Sequence, residues 1–156
     1  MTPPTTPKIC TTEPDATTRP LNGQGTLADL MSLLGNDSPD VQRAARRMPV
    51  GVRRVAAGDH LVHMGAPSDA LYFVCTGTFK IFRTDEDGYE QVLAFAGRRD
   101  VLAFDALCVE THPTAVSALE DSTVYVVRKA DLSALSRAEP AFERELQRAA
   151  SRALTR

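Results

Sequence analysis

The sequence predicts a mainly β protein, an antiparallel sandwich or barrel with short helices at both ends. Three observations carry this. From Val50 onward, short runs rich in Val, Ile, Phe and Tyr recur. They are separated by turn residues at Gly58, Gly65-Ala66-Pro67, Thr76-Gly77, Asp85–Gly88 and Gly97. No ten-residue helical pattern alternates with them, which argues against a parallel α/β sheet.

Composition sets the frame. The chain has 156 residues, with 20 acidic and 18 basic side chains, a net charge of −2 and 43% apolar residues. That balance fits one soluble domain with a tail. It argues against a domain that wraps nucleic acid by bulk charge. No stretch approaches the ~20 apolar residues of a membrane span, and MTPPTTPK carries no apolar signal core. Three cysteines do not make a disulfide framework. A cytoplasmic location is expected, with no membrane partner.

Residues 1–25 hold half of the prolines (Pro3, Pro4, Pro7, Pro14, Pro20) and only Ile9 and Leu21 as large aliphatics. Such a segment cannot offset its ordering entropy and is expected to be a flexible tail. Thr26 with Asp29 predicts a helix start, followed by Leu27, Leu30, Met31 and Leu34 at helical spacing, with Gly35 as the stop. Asp37-Ser38-Pro39 predicts an N-cap with Pro at the first helical position, opening a helix to about Arg47.

Eight strands are expected: 53–56, 60–63, 70–75, 78–83, 91–95, 101–104, 114–119 and 123–127. Phe79–Arg83 and Tyr89–Phe95 form the strongest hairpin, with Gly88 suited to φ > 0 in its loop. Within its first strand, Phe79 and Ile81 share one face and Lys80 and Phe82 the other. Helices return at Asp131–Ser136 and again from Pro140, with Glu139 near the cap. The second carries an apolar stripe of Phe142, Leu146, Ala149, Ala150, Ala153 and Leu154.

Several segments together resemble the sensor domain of Crp/Fnr transcription regulators. They are Ala57–Leu61 to Gly65, Asp69–Val74, Thr76–Lys80, Thr84–Val92, Asp100–Leu107, His112–Thr114 and Ala118–Ser122, and the later ones look closer to the Fnr branch. The resemblance covers about residues 50–150. It implies a jelly roll of the cyclic-nucleotide-binding type over 26–156, with N-terminal helices and the start of a dimerisation helix. It also implies a homodimer. DNA would be read only through a helix-turn-helix domain absent from this chain, which stops at Arg156 inside the pairing helix. The expected dimer contacts are Phe142, Leu146, Ala149, Ala150 and Ala153, weighed against the same stripe packing on its own barrel. The acidic loop Asp85–Asp87 is an exposed hairpin tip or, by the same resemblance, an RNA polymerase contact.

Ligand readings follow from the departures. Cyclic-AMP binders of this fold carry a Gly-Glu pair and then Arg-Ser or Arg-Thr in their phosphate cassette. The matching positions here are Ala103, Phe104 and Asp105, then Pro113 and Thr114. Pro113 supplies neither a cation nor an N–H where the arginine would stand. Cyclic AMP and cyclic GMP are therefore not expected to bind. The iron–sulfur cluster of the Fnr branch needs four cysteines. This chain has Cys10, Cys75 and Cys108, and Tyr125 stands at the fourth ligand position. No cofactor is predicted.

Cys108 and His112, four residues apart with Asp105 and Glu110 nearby, are the one weak metal or redox cluster. His60 and His63 are expected on opposite strand faces, which argues against shared coordination and separates the chain from cupin metalloenzymes. Arg43, Arg46, Arg47, Arg53 and Arg54 read as a solvated face rather than a polyanion site. The leading reading is a non-enzymatic sensor domain. The alternatives are a stand-alone small-molecule module acting through a partner protein, and a cupin-like enzyme.

Overall fold

A computed structural model describes residues 23–155. Nine strands form two antiparallel sheets, and four helices cover one of them. The elements are β1 (Gly23–Thr26), α1 (Leu27–Leu33), α2 (Pro39–Ala45), β2 (Pro49–Val55), β3 (His60–Val62), β4 (Ala70–Thr76), β5 (Phe79–Thr84), β6 (Glu90–Ala96), β7 (Val101–Leu102), β8 (Ala115–Ala118), β9 (Ser122–Arg128), α3 (Lys129–Ala138) and α4 (Pro140–Leu154). The first sheet runs β1-β2-β9-β4-β7 and the second β3-β8-β5-β6. This is a mainly β jelly roll.

The tail reading up to residue 22 lies outside the described residues, as does Cys10. Its last three residues do not behave as tail: Gly23, Gln24 and Gly25 pair with Val52, Gly51 and Val50 at the sheet edge. The backbone ladder holds them without any apolar alternation. Thr26 then caps α1 with a reciprocal pair of bonds. Its Oγ1 accepts from the Asp29 amide at 3.2 Å, and an Asp29 carboxylate oxygen accepts from the Thr26 amide at 2.9 Å. Pro39 opens α2 as expected, but Ser38 makes no side-chain cap.

The core has two layers. Between the sheets, Val55, Leu61, Tyr72, Phe79, Leu102, Val116 and Val124 fill the interior. On the outer face of the five-stranded sheet, Leu71, Phe73 and Val127 pack against Leu30, Met31 and Phe142 of the helices. Strand β4 lies between the two layers, which explains its unbroken apolar run Ala70–Val74, at most 3% exposed.

Helix α4 settles on this second layer. Phe142, Leu146 and Ala149 belong to the chain's own core, and Ala150 is 4% exposed. Phe142 meets Phe73 with ring centroids 6.4 Å apart. Of the residues expected at a dimer contact, these four are buried within the single chain, and Ala153 is part-exposed. The physical reason is the apolar outer face of β4, which an amphipathic helix must cover. Glu139 caps the helix, its carboxylate accepting from the Ala141 amide at 3.1 Å.

The histidines depart from the expected arrangement. His60 and His63 were expected on opposite faces, but their rings stack, with centroids 4.6 Å apart and planes 9° from parallel. The register shifts between His60 and Val62, and the strand ends before His63. Strict alternation is lost there. The alternation on β5 does hold. Phe79 and Ile81 pack inside, while Lys80 sits 4.6 Å over the Phe82 ring.

The candidate effector site

The segment after β7 holds the positions expected to receive a ligand. The strand expected over 101–104 stops at Leu102, because Ala103 turns left-handed with φ 66°. That conformation strains any residue except glycine by roughly 1–2 kcal/mol. Phe104–Ala106 then forms one 3-10 turn. The turn is tied down from three sides. The Thr114 hydroxyl donates to the Asp105 carboxylate at 2.8 Å, the Ser68 hydroxyl to the Ala106 carbonyl at 3.1 Å, and the Lys129 ammonium to the Ala106 and Val109 carbonyls at 2.5 and 3.0 Å. Ala103 and Thr114 are buried, Phe104 is half-buried, and Asp105 and Pro113 are exposed.

The charged groups at this turn are Asp105 and Lys129. Asp105 presents a carboxylate, Pro113 lacks an N–H, and the nearby ammonium of Lys129 is engaged by two carbonyls. The space between the sheets is filled by core side chains. A cleft of about 240 Å³ lies elsewhere, between β2, β9 and α3, and is lined by Val50, Gly51, Val126, Arg128, Asp131 and Leu135. None of its lining belongs to the cassette turn.

The other sequence candidates are dispersed. Cys108 is exposed, whereas His112 is 3% exposed and anchored through its backbone to Gly65 and Ala66. No group of three or more His, Cys, Asp or Glu side chains is arranged to hold a metal among the described residues. Of the basic set, Arg53 is buried in β2, while Arg43, Arg46, Arg47 and Arg54 are exposed.

Sequence reasoning missed one pairing. Cys75 lies beside Tyr125 on the neighbouring strand. Partial burial pushes the Cys75 thiol up to about 11, opposed by hydrogen bonds to Tyr125. Burial, then the adjacent thiolate charge, pushes Tyr125 up to about 12. The paired register Phe73–Tyr125 brings the two side chains together, and no spacing motif in the sequence announces it. A thiol held neutral is a poor nucleophile and a poor metal ligand.

Both groups are neutral in the fold and ionise more readily when unfolded. The stability they contribute is complete below about pH 9, the ordinary thiol value, and is lost as pH rises through 11. Alkylation at pH 8 with mass mapping should label Cys108 and spare Cys75. Equal labelling of both would contradict the burial argument.

The family model "Cyclic nucleotide-binding domain" matches residues 52–139. The chain belongs to the cyclic nucleotide-binding domain family, and its curated relatives are Crp/Fnr-type transcription regulators. It is 31% identical over 103 residues to the transcriptional regulatory protein btr of Bordetella pertussis, covering 66% of this chain and 43% of that one. It is 32% identical over 94 residues to the fumarate and nitrate reduction regulatory protein of Vibrio cholerae, covering 60% and 38%. The chain thus spans less than half the length of these relatives. Among solved structures, the N-terminal domain of a transcriptional regulator from Streptomyces coelicolor A3(2) superposes with a TM-score of 0.58 at 27% identity, covering 81% of this chain and 85% of that one. The catabolite activator protein of Thermus thermophilus shares the fold, with a TM-score of 0.63 at 24% identity over 79% of this chain and 58% of that one. No helix among the described residues is long and apolar enough to cross a membrane.

Proposed function

We propose that this chain is the sensing and dimerising part of a Crp/Fnr-type regulator, with no enzymatic activity. DNA reading would belong to a domain outside these residues. It acts as a homodimer, and its output is a shift between two packings of the barrel and the C-terminal helix. Cyclic AMP and cyclic GMP are not its effectors, and it carries no iron–sulfur cluster. The observation that carries the nucleotide reading is the cassette turn itself, where the Asp105 carboxylate is held by Thr114 and Pro113 stands in the position of the clamping arginine. The cluster reading rests on thiol chemistry. A cluster of this type takes four thiolates, and this sequence has three cysteines, with Tyr125 at the fourth ligand position.

Calorimetric titration of the chain with cyclic AMP and cyclic GMP tests the nucleotide reading. The expected result is no saturable heat up to about 1 mM ligand, equivalent to binding weaker than roughly 4 kcal/mol. A micromolar dissociation constant for either nucleotide would overturn it. Anaerobic reconstitution with iron and sulfide tests the cluster reading, and a stable visible absorption from the monomeric chain would defeat it.

A further inference from the structure

Strands β2 and β9 lie side by side from Val55↔Ser122 to Gly51↔Val126, and there their ladder stops. Both strands run on, each with another partner. Val50 and Pro49 pair with Gly25 and Thr26 of β1, while Val127 and Arg128 pair with Leu71 and Ala70 of β4. Pro49 has no N–H to donate, so it cannot extend the β2–β9 ladder from its own side. The two strands part, and the cleft of about 240 Å³ lies in the gap, with Leu135 of α3 on its wall.

The lining of this cleft is of two kinds. Val50 is buried, and Val126 and Leu135 are half-buried, so together they offer apolar surface. Arg128 and Asp131 are exposed and charged. They stand three residues apart, at the N-cap and in the first turn of α3. Opposite charges at that spacing are commonly paired. Here neither side chain makes a hydrogen bond or an ion pair among the described residues. One molecule carrying both charges can bridge them. A guanidinium takes a carboxylate through two parallel hydrogen bonds, and the Asp131 carboxylate takes an ammonium. The apolar lining takes a short aliphatic group. Size narrows the class further. Pockets for drug-sized ligands hold about 300–1,000 Å³, so this cleft suits a molecule smaller than a nucleotide.

We propose that the cleft binds a free α-amino acid with an aliphatic side chain. Its carboxylate meets Arg128, its ammonium meets Asp131, and its side chain lies against Val50, Val126 and Leu135. The site is tied to the cassette turn by the next residue along. The Lys129 ammonium donates to the Ala106 and Val109 carbonyls, and the Lys129 amide donates to the Asp69 carbonyl at 2.8 Å. A ligand that draws Arg128 and Asp131 together therefore acts on the start of α3 and, through Lys129, on that turn. This goes beyond the sensor reading, since it names a ligand class and a site outside the cassette. Binding is measured on the chain alone, so its failure leaves that reading standing.

The test is a titration of the isotope-labelled 156-residue chain with L-leucine, followed through amide shifts in proton–nitrogen NMR spectra. Saturable shifts are expected at Gly51, Val126, Asp131 and Leu135, with a dissociation constant below about 1 mM. Isocaproate lacks the ammonium and isoamylamine lacks the carboxylate, and each should bind about tenfold more weakly or worse. Arg128→Gln and Asp131→Asn should each weaken leucine binding about tenfold, with spectra that report an intact fold. Arg128→Gln should also remove the advantage of leucine over isoamylamine, because the carboxylate has lost its partner. A dissociation constant above about 1 mM, shifts confined to other surfaces, or an affinity unchanged in either variant overturns the site. Isocaproate or isoamylamine binding as tightly as leucine overturns the assignment of a doubly charged ligand.

Discussion

Gly77→Ala should cost about 3 kcal/mol or more. Gly77 has φ +93°, a left-handed conformation that itself costs an alanine roughly 1–2 kcal/mol. A Cβ built there would also lie 1.9 Å from the Ser122 Oγ, 2.5 Å from its Cβ and 2.8 Å from its Cα. A rotamer change could move the hydroxyl but not the Cα. Relief therefore requires shifting the start of β9, whose Ser122 is paired with Val55 of β2. Gly58 is the matched control. It has φ +84° and nothing within 4 Å, so Gly58→Ala should show the backbone cost alone. Urea unfolding of both variants separates the two effects. Equal losses would show that the Ser122 contact is relieved without penalty.

Much of the fold was readable because local rules and tertiary demands agree. The Thr26–Asp29 box, Pro39 and Pro140 at helix starts, and the hairpin around Gly88 all appear where their residue chemistry puts them. Three features were not readable, each for a physical reason. β1 has the sequence Gly-Gln-Gly-Thr and is held by ladder bonds that no side-chain pattern reports. The stacking of His60 on His63 depends on a register irregularity, which one strand's sequence does not encode. The partner of the α4 stripe was ambiguous, because amphipathicity states that a face is buried and not what buries it. At the effector site the sequence gives residue types, and so the loss of the cation at Pro113. It does not give the ties from Ser68 and Lys129, which come from 38 and 23 residues away.

Phe142→Ala should destabilise the chain by about 3–5 kcal/mol. The side chain is fully buried, sits against Phe73, and anchors α4 on the outer layer of the core. Its removal leaves a cavity against Phe73 of β4 within the helix-covered layer of the core, where little collapse can fill it. The concentration dependence of this loss decides what the residue does. If Phe142 packs within one chain, the shift in unfolding midpoint is the same at about 1 µM and about 100 µM protein. If it instead bridges two copies, stability is linked to association. The variant would then lose most at high concentration, where the wild type is held together by mass action. The first outcome is expected, because one chain alone already buries the ring completely.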